Sequence, residues 1–292
     1  MIDDETPEGL IERLKILLDV EEIDRDLYRG ARVTEGRGRV FGGQVIAQAL
    51  AAASRSVDDG RPPHSLHAYF MRPGDDALPI IYRVERDFDG RSFATRRVIA
   101  LQRGVPILNM AASFQIPETG LMHQTAMPEV PPPEALKPEQ EIVRRNADTV
   151  PEELLKWMSS PRPIEIRPVV SRWEKTDHIL PPAQNIWVRA VAPLGDDPGV
   201  HRAVLAYLSD FMLLATSTLP HGVHWSTAAV QTASLDHALW IHEDFRADEW
   251  LLYSMDSPWA GHARGFNRGS LFTRDGRLVA SVTQEGLIRL RG

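Results

Sequence analysis

The sequence predicts an α+β protein made of two copies of one unit, each a long helix wrapped by an antiparallel sheet. Three observations predict it. The stretch "VFGGQVIAQALAAASRSV" is almost wholly apolar or small from Val45 to Ala53, on every side, which marks a buried helix. Four strand-like runs follow, "SLHAYFM", "LPIIYRVERDF", "SFATRRVIALQ" and "VPILNMAASFQ", separated by the turn signals "RPGDD", "DFDGR" and "QRG". The same order then returns. "HRAVLAYLSDFMLLA" reads as a second mostly apolar helix, and "SLDHALW", "EWLLYSMD", "ARGFNRGSLFT" and "LVASVTQEGLIR" read as a second meander.

Along the chain, the first helix covers Thr6 to Leu18, where Leu10, Leu14, Leu17 and Leu18 form an apolar stripe. Gly42 and Gly43 open the second helix, whose small residues let other backbone approach closely. Six prolines between Pro117 and Pro138 predict an extended linker, and Pro161, Pro163, Pro181 and Pro182 break the stretch that follows. The expected division is therefore residues 1–117, an N-terminal unit; 118–197, a linker and irregular connection; and 198–292, a C-terminal unit. Laid over one another, the two meanders match Tyr82 with Tyr253 and place Arg97 near Arg268. Ser65 to Gln115 and Ser234 to Gln284 are both spans of 50 residues.

Composition bounds the chemistry. A net charge of -7 argues against general binding to nucleic acid or to anionic membranes. The absence of cysteine removes disulfides, thiolate metal sites and a Cys nucleophile, and no metal is expected. The start "MIDDETPEGLIERLKILLDV" lacks the basic and apolar blocks of a signal peptide, and no apolar run reads as long enough to cross a bilayer. The expectation is a cytoplasmic protein without membrane insertion.

The run "TASLDHALWIH" sets Ser234, Asp236 and His237 within four residues. On a regular strand Ser234 and Asp236 share a face and His237 points away from both, so a compressed Ser/His/Asp relay is not expected. Asp210 is the second candidate. At helical spacing its neighbours are Ala206, Tyr207, Leu213 and Leu214, and a carboxylate on such a face is costly unless hydrogen-bonded. The plainer reading is an Asp at a frayed helix end. Gln284, beside Glu285, is the third; alone it reads as a surface amide. Together a carboxylate, a hydroxyl and an amide suit hydrolysis by an activated water better than attack by an activated serine.

The blocks "FGGQVIAQAL", "HAYFMRPGD", "YLSDF", "DHALWIH", "EWLLYSMDSPWA" and "ARGFNRGSLFTRDGRLVASVTQEGLIR" resemble the bacterial acyl-CoA thioesterase II (TesB) family, from about Leu10 to Arg289. The resemblance implies a double hot-dog fold and hydrolysis of fatty acyl-CoA, with no cofactor. It also implies a site of an Asp on the second unit's helix, a Thr on a following strand and a Gln on the last strand. These fall on Asp210, Ser234 and Gln284, with Ser departing from the family's Thr at 234. The first unit then serves as a structural half, with Ser65 and Gln115 dispensable. Helix-start N–H groups at Gly42 and Gly43 are candidate oxyanion donors. Residues that bind coenzyme A are not assigned, although Arg97, Arg264 and Arg268 have the right chemistry for phosphates. Exposed sheet edges point to a homo-oligomer.

Two alternatives follow from the residues. "GDDPGVH" places Gly195, Asp196 and His201 at the spacing of a hot-dog enoyl-CoA hydratase motif but lacks its Asn-Pro centre. A non-catalytic acyl-CoA binding protein is the other, given Ser at 234.

Overall fold

The computed structural model describes residues 5–32, 38–58, 60–150, 152–174, 179–223 and 230–291. Helix α1 is Pro7–Leu18; Thr6 caps it by accepting from the Gly9 N–H at 3.1 Å, and Leu10, Ile11, Leu14 and Leu18 are buried. Strands β1 (Val20–Asp24) and β2 (Leu27–Gly30) follow, then helix α2 (Gly42–Arg55). A meander completes the first half: β3 (Pro63–Phe70), β4 (Ile80–Asp89), β5 (Phe93–Gln102) and β6 (Val105–Gln115). Two short helices, α3 (Glu139–Arg145) and α4 (Glu152–Ser159), precede β7 (Ile164–Pro168) and β8 (Ala183–Ala190). The second half continues with α5 (Pro198–Leu208), α6 (Leu213–Thr216), β9 (Val230–Ser234), β10 (Asp236–Ile241), β11 (Leu251–Gly261), β12 (Arg264–Thr273) and β13 (Leu278–Leu290).

The strands run in the order β1-β2-β4-β5-β6-β3-β10-β13-β12-β11-β8-β7, with β9 also on β13. Strand β2, helix α2 and strands β3 to β6 recur as β8, α5 and β10 to β13, in the same sheet order. The halves meet at β3 and β10, paired antiparallel from Asp236↔Tyr69 to Trp240↔Ser65. Their two meanders thus form one continuous sheet.

The middle of the chain differs from expectation. Strands β7 and β8 lie inside residues 118–197, expected to be irregular, and β8 pairs with β11 from Ala183↔Asp256 to Val188↔Leu251. The repeated topology therefore begins well before residue 198. Pro163, Pro181 and Pro182 flank these strands instead of interrupting them, where a missing N–H breaks no ladder. The proline-rich linker crosses the outer face of the second half. Met127, Val130 and Leu136 pack on Trp187, Trp250, Leu252 and Phe272, and the Trp187 indole N–H donates to the Pro131 carbonyl at 2.9 Å. Helices α3 and α4 bury their own small cluster, including Ile142, Val143, Leu154 and Met158.

The two core helices pack directly on each other. A side chain at Gly43 would collide with the Tyr207 carbonyl oxygen of α5, so only glycine lets the axes approach this closely. Ile46, Ala47, Ala49, Ala52 and Ala53 are fully buried around that contact. Ile46→Ala there should destabilise by about 2–5 kcal/mol.

The second core helix is not the continuous helix the sequence suggests. It ends at Leu208, turns, and resumes at Leu213 after Met212, whose φ is +62°. A left-handed backbone at a non-glycine residue is uncommon and strained. By length and composition Pro198–His221 would suffice to cross a membrane, contrary to the reading of the bare sequence. In the structure this segment is broken and mostly buried between the sheet and α2.

Candidate active site

The break in the second core helix carries Asp210. The residue lies just past the end of α5, with Phe211 N–H bonded back to the Leu208 carbonyl at 2.9 Å. Its carboxylate meets groups from three other elements. Oδ1 accepts from Gln284 Nε2 of β13 at 2.6 Å, and Oδ2 accepts from the Gly43 N–H at the start of α2 at 2.9 Å. The Ser234 side chain, at the end of β9, lies near enough to this carboxylate to lower its pKa. Around it the rings of Phe41, Tyr207 and Phe211 stand with centroids 5.2–5.3 Å apart.

The residue keeps some surface open to solvent, yet its carboxylate is densely packed. Burial raises its pKa from 3.8 to about 6, against the lowering effects of Gln284, Gly43 and Ser234 in that order. A carboxylate tuned this way is still ionised near neutrality and is a far stronger base than a solvated Asp.

The three candidates therefore converge, but one argument about them fails. His237 does not point away from Ser234. Ser234 lies opposite Gly286, while Ala238 lies opposite Thr283, so four steps on one strand run against three on β13. That extra residue is a β-bulge, and it reverses the alternation between the two positions. His237 consequently turns into the core, 1 % exposed, with Nδ1 3.1 Å from Gln284 Nε2 and Nε2 2.9 Å from Ser209 Oγ. Burial lowers its pKa to about 3, so the ring is neutral. Asp236 faces the other way, and its Oδ1 accepts from the Glu285 N–H at 2.6 Å.

Two further residues shape the site: Asn267, which the sequence pattern did not mark, and Gly42, expected there only as an oxyanion donor. Asn267 lies directly across from Gln284 on β12. Both residues are 0 % exposed, and Asn267 Oδ1 and Gln284 Oε1 are buried acceptors with no partner among the described residues. Gly42 is the other: a Cβ there would stand 2.7 Å from Asp210 Oδ2.

Other expectations change. The Gly43 N–H is engaged by Asp210, and so it does not stand ready as an oxyanion donor. Arg97, Arg268 and Arg264 are exposed and paired with Asp87 (3.1 Å), Asp256 (2.5 Å) and Glu285 (2.9 Å). Strand register also revises the matching of the halves. Arg96, fourth in β5, faces Ala112 as Asn267, fourth in β12, faces Gln284. Leu66 faces Ala112 as His237 meets Gln284. Leu66 and Ala112 are thus the counterparts of the site residues, not Ser65 and Gln115. Gly195, Asp196 and His201 sit at the start of α5 in a structural network. His201 Nε2 is 2.9 Å from the Gly195 carbonyl oxygen, its Nδ1 accepts from Ala247 N–H, and Asp196 pairs with Arg246.

Two helix-and-sheet halves joined edge to edge, with a carboxylate of raised pKa where their helices meet, fit a hydrolase of the double hot-dog class. Comparison with known proteins makes this specific, and the chain belongs to the acyl-CoA thioesterase family. Residues 159–287 match the family model described as acyl-CoA thioesterase, and residues 32–115 match that of the acyl-CoA thioesterase N-terminal domain. The chain is 41 % identical to acyl-coenzyme A thioesterase 8 of Homo sapiens, over 94 % of this chain and 88 % of the relative. It is 38 % identical to acyl-CoA thioesterase 2 of Haemophilus influenzae, over 96 % and 98 %. The crystal structure of an acyl-CoA thioesterase II, TesB2, from Mycobacterium marinum superposes with a TM-score of 0.79 at 40 % identity, covering 96 % of this chain and 99 % of that one. The protein is accordingly an acyl-CoA thioester hydrolase.

Proposed function

We propose that the chain cleaves fatty acyl-CoA to free fatty acid and CoA by direct attack of a water that Asp210 activates. The observation that carries this reading is the Asp210 carboxylate, held by Gln284 and Gly43 beside Ser234, its pKa raised by burial to about 6. The water oxygen bonds to the thioester carbonyl carbon while one of its protons passes to Asp210. Gln284 Oε1, which meets no donor among the described residues, accepts the water's other hydrogen. The tetrahedral intermediate then expels the CoA sulfur, which takes the proton back from Asp210. A positioned general base supplies roughly 10²–10⁴-fold in rate. The first half acts as a scaffold whose contribution is the Gly43 N–H. The chain works in the cytoplasm and assembles as a homo-oligomer; for the second point, β1 and β7 end the sheet with no outer strand partner among the described residues.

The nearness of the Ser234 side chain to Asp210 favours one second reading, in which Asp210 activates the Ser234 hydroxyl and an acyl-enzyme forms. Thiol release from a series of acyl-CoA chain lengths, with mass spectrometry after rapid quenching, separates the two. Water attack leaves no acyl adduct on Ser234, while Asp210 as the base gives an acid limb with a midpoint near 6 in either reading. An acyl-Ser234 species that forms and decays at the turnover rate overturns it.

A further inference from the structure

Gln284 can serve the reaction in only one of its two amide orientations. With Nε2 toward Asp210 it stabilises the base and turns Oε1 toward the water. Flipped, it sets its oxygen against the carboxylate. A glutamine side chain turns about soft torsions, and the Asp210 bond alone is a single hinge.

We propose that His237 is a positioning residue that locks Gln284 in the working orientation. The polarity of its hydrogen bonds leaves little freedom. The Ser209 hydroxyl donates to the Ala206 carbonyl at 2.9 Å, so its oxygen is left to accept, from His237 Nε2–H at 2.9 Å. A neutral ring carrying its proton on Nε2 has a bare Nδ1, which accepts from Gln284 Nε2 at 3.1 Å. Both amide hydrogens of Gln284 are then used, one on His237 and one on Asp210, and Oε1 has no partner among the described residues. The chain is anchored at a helix end: the α5 terminus supplies the Ala206 carbonyl and Ser209, and the bulge at Leu235 brings His237 to them.

Among the described residues, the other titratable groups at the site are Asp210 itself, the phenols of Tyr207 on α5 and Tyr253 on β11, and the Arg162 guanidinium, whose charge reaches Tyr207. Burial pushes both phenols upward, so they stay neutral in the working range. Asp236 and Glu285 face the opposite side of the sheet, where Asp236 is tied to the Glu285 N–H.

The proposal rests on the reading of Gln284 as a ligand of the attacking water, and its test uses a pair of variants in the full chain. His237→Asn keeps an acceptor oxygen near the place of Nδ1; His237→Leu removes it. With His237→Leu, kcat should fall about 10²-fold while KM stays within a few-fold, as expected when a reacting group is misplaced. Its acid limb should move upward, because Asp210 loses the lowering effect of a fixed Gln284. His237→Asn should recover most of the rate and return the limb toward the wild-type position. Equal losses in both variants with an unmoved acid limb, or full activity in both, would overturn the proposal. Nitrogen chemical shifts of His237 in the wild-type protein give a reading that needs no variant to fold. A proton on Nε2 supports the proposal, and a proton on Nδ1 sinks it. A trapped acyl-Ser234 would end the water mechanism, yet the shifts and the Asn/Leu difference would still decide whether His237 holds Gln284.

Discussion

The two halves share one topology and differ at a handful of inward positions. In the first half the core helix is unbroken, and the Tyr82 hydroxyl donates to the Gln48 side chain at 2.7 Å. In the second, the equivalent Tyr253 hydroxyl donates to the Ser209 backbone carbonyl at 2.7 Å, which the end of α5 has left without a helical partner. Where the second half has His237, Gln284 and Asn267, the first has Leu66, Ala112 and Arg96. Arg96, 1 % exposed, uses its guanidinium to tie the Ser56 hydroxyl and carbonyl, the Phe88 and Thr95 carbonyls and Asp89. One half thus spends its buried polar positions on stability, the other on chemistry. A helix break is what lets the same scaffold present a carboxylate.

The comparison is tested hardest at Asp210. Asp210→Asn should lower kcat by roughly 10²–10⁴-fold, as loss of a general base does. Residual turnover near half the wild-type rate would instead reveal a second working site in the first half. The same variant tests the electrostatics. A folded pKa raised from 3.8 to about 6 means that the wild type is penalised above pH 6 and relieved as pH falls. Between pH 6 and 4 the wild type should therefore gain stability relative to Asp210→Asn, by at most about 3 kcal/mol given partial solvent access. Denaturant midpoints at several pH values measure this.

Arg96→Ala should show the reverse balance. It strands several buried carbonyls and removes the partner of half-exposed Asp89, for a loss of about 2–4 kcal/mol. The kcat of the remaining folded protein should be unchanged. A drop in kcat beyond a few-fold, with stability corrected for, would mean that the halves are not separable in this way.

Ser234 offers a finer contrast. Ser234→Thr should retain or improve turnover, because the added methyl restricts the hydroxyl without removing it. Ser234→Ala should reduce the rate without abolishing it, and steady-state thiol release distinguishes the two. The smallest effect is expected for Ser65→Ala combined with Gln115→Ala. Register places neither at the counterpart of a site residue, so turnover should stay within a few-fold. A loss comparable to that of Asp210→Asn would break the division of labour.

The sequence by itself determined the α+β class, the repeated helix-and-meander order and the three residues that converge. Periodicity, turn chemistry and the run of small apolar residues at α2 are local properties, and they survive into the fold unchanged. The family resemblance marked Asp210, Ser234 and Gln284 among many polar residues, which spacing alone left open. Strands β7 and β8 were hidden because prolines near their ends read as breaks, although a proline just outside a ladder breaks nothing. The alternative of Asp210 at a helix end comes close to what the structure shows, yet "YLSDFMLLA" is helical by pattern, and nothing in it announces the break or the left-handed Met212. His237 was turned the wrong way for the same kind of reason. A period of two assumes equal residue counts on paired strands, and the single extra residue between Ser234 and Ala238 is set by pairing with β13. Only the tertiary structure decided these points, because a helix break and a bulge are settled by what packs across the sheet, far away in the chain.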